Sequence, residues 1–168
     1  MIQRTYTKDA IKRPEKRYKT AWEEICAIMP AYLDNGTNGT IITYLDGSTE
    51  QISRRLDWVV DDLLLHLHTS KAVLVKNSRA YLGKQARRVP LVAAQNFCLV
   101  PVKGRVAISG YEGLLGYVVM GHVADAIRSG KQSMVYFNGG GSIAVYDNIN
   151  VLWSNLNLAK EIKQTMEG

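Results

Sequence analysis

The chain has 168 residues, 46% of them hydrophobic, with a formal net charge of +6. That length suits one domain with short extensions, and that apolar content excludes a generally disordered chain. The 21 lysines and arginines outnumber the 15 acids, which makes polyanions (DNA, RNA or an anionic membrane surface) the expected class of partner.

The first residues lack the apolar core of a signal peptide, and no apolar run approaches the ~20 residues of a membrane span. The longest weakly polar stretch, Gly113 to Val123, is too short. Cys26 and Cys98 both sit in apolar runs. The expectation is a cytoplasmic protein with buried, reduced cysteines and no membrane partner.

Residues 1–20 read as a basic amino-terminal arm. Arg4, Lys8, Lys12, Arg13, Lys16, Arg17 and Lys19 stand against Asp9 and Glu15, and Pro14 interrupts any helix. Such a segment is a solvated tail or an arm that tracks DNA. Residues 21–168 read as a single domain. Ala21 to Leu33 fits a strand or two, and Asp34-Asn35-Gly36 turns the chain. The β-branched run Thr40 to Leu45 predicts a strand, and the Asp46-Gly47 turn leads to a return strand over Thr49 to Ile52. Ser53 is placed to cap a helix. Leu56, Val59, Val60, Leu63, Leu64 and Leu67 then recur at spacings of three and four, predicting an amphipathic helix over about 54–68 that packs on a sheet.

Lys71 to Val75 reads as the next strand. It feeds a segment, Lys76 to Arg88, that carries Lys76, Arg79, Lys84, Arg87 and Arg88 and no acid. An apolar run follows, so the cationic segment is expected as a surface presented between two strands. Leu91 to Ala94 and Phe97 to Val102 form a strand pair, turned at Gln95-Asn96 and bracketed by Pro90 and Pro101. Lys103-Gly104-Arg105 makes a smaller basic turn before a short strand over Val106 to Ile108. Tyr117 to Ile127, broken at His122 and Asp125, fits strand or helix, with strand favoured for its first half. Ser133 to Phe137 and Ser142 to Tyr146 pair through Asn138-Gly139-Gly140-Gly141. Asp147 is placed to cap a carboxy-terminal helix over about 148–165. Its apolar face comprises Ile149, Leu152, Trp153, Leu156 and Ala159, with Lys160 and Lys163 suiting the dipole near its end. The sum is a mainly β, α+β fold of short antiparallel strands and hairpins with two or three helices, and without a βαβ rhythm.

The chemistry of catalysis is poorly represented. His66 and His68 lie on different faces of a helix, and no CxxC or HExxH spacing points to zinc. Cys98 sits between Phe97 and Leu99, where a thiol is inert. The glycine run at 139–141 lacks the lysine and the following helix of a phosphate loop. Asp57, Asp61 and Asp62 read as a solvated helix face. No catalytic residue, metal ligand or cofactor is expected. By contrast, the central segment has what a nucleic-acid interface needs. Arg79, Lys84, Arg87 and Arg88 neutralise phosphates, and Asn77 and Tyr81 offer hydrogen bonds to backbone or bases. Lys103 and Arg105 add a second basic turn. The rival reading is a protein-interaction or adaptor module whose basic loop meets an acidic partner.

An ordered set of short motifs resembles the ComK family of competence transcription factors. Tyr81-Leu82-Gly83-Lys84 is similar to that family's Tyr-x-Gly-Arg, and Arg88-Val89-Pro90-Leu91 to its Lys-Pro-Pro-Ile. Asn96-Phe97-Cys98-Leu99-Val100-Pro101 resembles its Asn-x-Ile-Phe-Leu-Phe-Pro. Gly116-Tyr117-Val118, with His122-Val123 after it, resembles its Gly-Trp-Ile, and Phe137-Asn138-Gly139 its Asn-Gly turn before a final helix. The resemblance spans roughly Met29 to Ile162. The segments between Tyr81 and Pro90 and between Pro101 and Gly116 are shorter than in the family, and Lys84 stands where the family has arginine. The carboxy-terminal half also resembles LytTR-type β DNA-binding domains at the level of fold. The ComK resemblance implies an activator of DNA-uptake genes that binds A·T-rich promoter boxes in double-stranded DNA. It also implies homo-oligomerisation on DNA and turnover through a proteolytic adaptor.

Overall fold

A computed structural model describes residues 22–34, 36–83, 88–94, 97–104 and 115–167. The amino-terminal arm, the Gln95-Asn96 turn and the strand expected at Val106 to Ile108 lie outside the described residues. The described part is an α+β fold with two antiparallel sheets. The strands are β1 (Ile25–Tyr32), β2 (Asn38–Tyr44), β3 (Thr49–Ile52), β4 (Leu91–Ala94), β5 (Phe97–Lys103), β6 (Leu115–Val119), β7 (Val123–Ser129), β8 (Gln132–Phe137) and β9 (Ser142–Val145). The helices are α1 (Leu56–His66), α2 (Lys71–Leu82) and α3 (Ile149–Glu167). The six-stranded sheet runs β3-β2-β1-β6-β5-β4, and the three-stranded sheet runs β9-β8-β7.

The large sheet is buried on both faces, which explains why its central strands are apolar almost without interruption. Along β5, Phe97 and Leu99 enter one core cluster while Cys98, Val100 and Val102 enter the other. This is the period of two expected of a pleated strand. In β6, Tyr117 and Val119 face the first cluster and Val118 the second. The first cluster is closed by Val59, Val60, Leu63 and Leu64 of α1 and Leu74 of α2. The second is closed by Leu152, Leu156, Ala159 and Ile162 of α3 together with Val135, Phe137 and Val145 of the small sheet. Each of these large side chains contributes about 1.5–3 kcal/mol by burial.

Several boundaries differ from the sequence expectation, each for a local reason. Lys71 to Val75 is not a strand; it is the first turn and a half of α2. Ser70 starts the helix, its Oγ accepting the Val73 N–H at 3.3 Å. Leu74 and Ser78, one turn apart, are buried, so the apolar run belongs to a period of four rather than two. The capping residue of α1 is Arg55, with no side-chain cap, and not Ser53. Asp147 does not cap α3; Asn148 does, its Oδ1 accepting from Asn150 N at 2.8 Å. Trp153 leaves the buried stripe of α3 and is 37% exposed. The helix continues to Glu167, so Lys160 and Lys163 do not lie in its last turn. Pro101 sits inside β5 opposite Tyr117 rather than at its end. It is tolerated because β4 begins at Leu91, opposite Leu99, leaving β5 with one neighbour beyond that point. The stretch after Tyr117 is strand on both sides of a 3-10 turn over Met120–His122.

Two turns tie the sheets together. A side chain at Gly139 would collide with the Leu45 carbonyl oxygen, so the β8–β9 turn approaches the β2–β3 turn as only glycine permits. Beside it, Asn138 N donates to the His122 carbonyl at 3.0 Å, and His122 Nε2 lies 2.6 Å from the Glu23 carbonyl.

The α1–α2 connection holds a strained residue. His68 N and Thr69 N donate back to the Leu65 and Leu64 carbonyls at 2.9 and 3.0 Å, a helix ending that calls for a left-handed residue. His68 fills that place with φ 61. A non-glycine residue there costs about 1 kcal/mol. His68→Gly is therefore expected to raise the urea midpoint by a stability gain of about 0.5–1 kcal/mol; an equal or lower midpoint would contradict this account of the turn.

Candidate nucleic-acid interface

Helix α2 is held from one side only. Leu74 packs into the core, and Ser78 Oγ donates to the Pro90 carbonyl at 2.5 Å, pinning the helix beside β4. At its far end Gly83, with φ 71, donates its N–H to the Arg79 carbonyl and turns the chain out. The opposite side presents Val73, Lys76, Asn77, Ala80 and Tyr81 to solvent. Val73 and Tyr81 keep 50% and 42% of their surface, unusual exposure for apolar groups with no structural task. Lys71, Val75, Lys76, Arg79 and Gly83 border an open groove of about 930 Å³ along this helix. No acid occurs anywhere in α2.

The cations of α2 are not equivalent. Lys71 lies 3.6 Å from Asp57 and shares a hydrogen bond with the buried Tyr117 hydroxyl. Burial works against its charge, but Tyr117, Asp57 and Asp61 outweigh it and its pKa ends above the ordinary lysine value. Burial likewise pushes the Tyr117 pKa up. Lys71 thus fixes α2 to the sheet and to α1. Lys76, one and a half turns on, is exposed.

The residues expected to contact nucleic acid fall into two groups. Asn77 and Tyr81 stand one turn apart on the solvent side of α2, and Arg79 lines the groove on the same helix. Arg88 and Lys103 come together elsewhere, around Asp147. Asp147 Oδ2 accepts the Lys103 backbone N–H at 2.6 Å, and its Oδ1 lies 3.5 Å from Arg88 Nη1. The Asp147 side chain is 3% exposed and that of Arg88 38%. A nearly buried carboxylate needs compensation, so Arg88 has a structural partner that the sequence did not reveal. Lys84, Arg87 and Arg105 lie outside the described residues.

Sequence reasoning passed over Lys71 as a groove residue because it stood at the start of an expected strand. The signals that could have found it are Ser70 and Gly83, a helix start and stop twelve residues apart with no proline between. The two cysteines are free and buried. Burial, with the charge of Asp46, pushes the Cys26 pKa up to about 11, and burial pushes that of Cys98 up to about 12. At neutral pH both are protonated thiols, which are poor nucleophiles. Among the described residues no three His, Cys, Asp or Glu side chains converge as a metal site.

Comparison with protein-family models, with curated proteins and with solved structures found no match to this chain.

The Asp147 node yields a test. Arg88→Ala should lower stability by about 1 kcal/mol, since the pair is part-exposed and Asp147 keeps the Lys103 N–H. Arg88→Lys should recover part of that loss. A thermal melt of Arg88→Ala that overlays the wild type would show that Asp147 does not depend on Arg88.

Proposed function

We propose that the chain is a sequence-specific DNA-binding transcription regulator that presents α2 to duplex DNA. The observation that carries this reading is the solvent side of α2: cationic, free of acids, anchored from behind, and continued in sequence by Lys84, Arg87 and Arg88. A helix about 10–12 Å across with its side chains fits a major groove about 12 Å wide. The helix follows α1 after the four residues Leu67 to Ser70, the spacing with which paired helices present their second member. In this reading Lys76 and Arg79 meet phosphates and set the register. Asn77 and Tyr81 reach base edges, and a paired hydrogen bond from asparagine to adenine favours A·T pairs.

The finer reading rests on the ComK resemblance: an activator of competence genes, acting in the cytoplasm on A·T-rich promoter boxes as a homo-oligomer and removed through a proteolytic adaptor. No helix among the described residues is long and apolar enough to cross a membrane, which is compatible with action on DNA. The arrangement around Asp147 modifies the sequence expectation, because Arg88 and Lys103 are engaged there. The base-reading role therefore falls to α2.

The test is fluorescence anisotropy with a labelled A·T-rich duplex over a salt series. Binding should weaken with salt at a log–log slope of about −0.9 per phosphate contacted, and Lys76→Ala should make that slope shallower by about one. Asn77→Ala should narrow the preference over a G·C-rich duplex by about 1–3 kcal/mol. Absence of binding at low salt would assign the groove instead to an acidic protein partner, and an unchanged slope for Lys76→Ala would remove α2 from the interface.

A further inference from the structure

A second cleft lies away from α2, between α3 and the junction of the 3-10 turn with β7, and encloses about 420 Å³. Its size falls in the range of small-molecule sites, roughly 300–1,000 Å³. The inner wall is apolar: Met120, Val123 and Leu156 all belong to or pack against the second core cluster. Trp153 forms a side wall and remains 37% exposed although it sits on the sheet side of neither the core stripe nor a turn. Lys160 and Lys163 stand on the same wall of α3, two and nearly three turns beyond Trp153. Lys163 is half-buried and close enough to Cys98 for its charge to act on that thiol, so positive potential reaches into the base of the cleft. No described residue lining the cleft carries a carboxylate; its other polar groups are side-chain amides.

We propose that this cleft binds a small amphipathic carboxylate, with its apolar body on Trp153, Met120 and Val123 and its anionic head at Lys160. The charge pattern selects the ligand class. An apolar cavity alone would take any hydrophobe, but two ammonium groups at one end with no opposing acid disfavour a cation and reward an anion. An amphipathic ligand uses both halves of the wall, as an indole beside lysines can take an apolar body while the ammonium stays wet. The inference stands on α3 and does not depend on how α2 meets its partner.

The test uses decanoate below its micelle concentration as the probe, followed by amide and indole chemical shifts of the full chain. Decanoate should shift the Trp153 indole and the amides of Ala124 and Lys160 in a saturable way, and leave Lys76 and Tyr81 unmoved. Decanol should bind at least tenfold more weakly, and acetate should not bind, because each lacks one half of the ligand. Lys160→Glu changes an exposed residue and should weaken decanoate roughly tenfold, with Trp153→Ala weakening it independently of head charge. No shift at Trp153, equal affinity for decanol, or an unchanged Lys160→Glu would each overturn the proposal. Shifts that follow protein concentration rather than decanoate would assign the cleft to a second copy of the chain and overturn it as well.

Discussion

The structure depends on a six-stranded antiparallel sheet that is apolar on both faces. Antiparallel sheets often leave one face to water, but here β1, β5 and β6 send alternate side chains into two separate cores. Each face then requires a cover. One is supplied by α1 and α2, the other by α3 and the small sheet. Every later feature of the molecule follows from how completely those covers are buried.

The cover made by α1 is largely committed to the core, with Val59, Val60, Leu63 and Leu64 all buried. That made by α2 is not. Its buried side chains are Leu74 and Ser78, and the rest of its circumference is edge or solvent. A helix with so little apolar burial is held by specific bonds instead: the Ser70 cap, the Ser78–Pro90 bond, and Lys71 with Asp57 and Tyr117. Those bonds free the opposite side from structural work. Its cations and its exposed Tyr81 are then available to a partner, and this is why a structural constraint on the sheet leads to a reading of function. Arg88 illustrates the converse. It belongs by sequence to the same cationic run, yet the desolvated carboxylate of Asp147 draws it into the fold.

Much of the fold could be read from residues alone. The β-branched run at Thr40 to Leu45, the Asp46-Gly47 turn and the Leu56 to Leu67 stripe each carry one dominant period, and each formed the element that period predicts. Ala72 to Val75 did not, because four apolar residues are too few to distinguish a period of two from one of four. The deciding partners, Ser78 and Pro90, lie well beyond that window. Asp147 was legible as a polar residue before a helix, but its true partners, Lys103 and Arg88, are 44 and 59 residues away in sequence. Of the interface, the cationic character and the roles of Asn77 and Tyr81 were legible. Their common helical face was not, since it exists only once α2 replaces the expected strand. The cleft beside Trp153 was hidden for a related reason: Trp153 fits the apolar stripe of α3 by spacing, and only packing shows that it stands outside it.

The central claim is that the solvent side of α2 is where a polyanion docks. Hydrogen exchange of the full chain with and without an A·T-rich duplex tests it most directly, because α2 is short and weakly buried and its amides should respond strongly to a partner. The account predicts slowed exchange across Lys71 to Leu82 on adding duplex, with α3 unchanged. Protection confined to α3 or to the small sheet, with α2 exchanging as in the free chain, would contradict it.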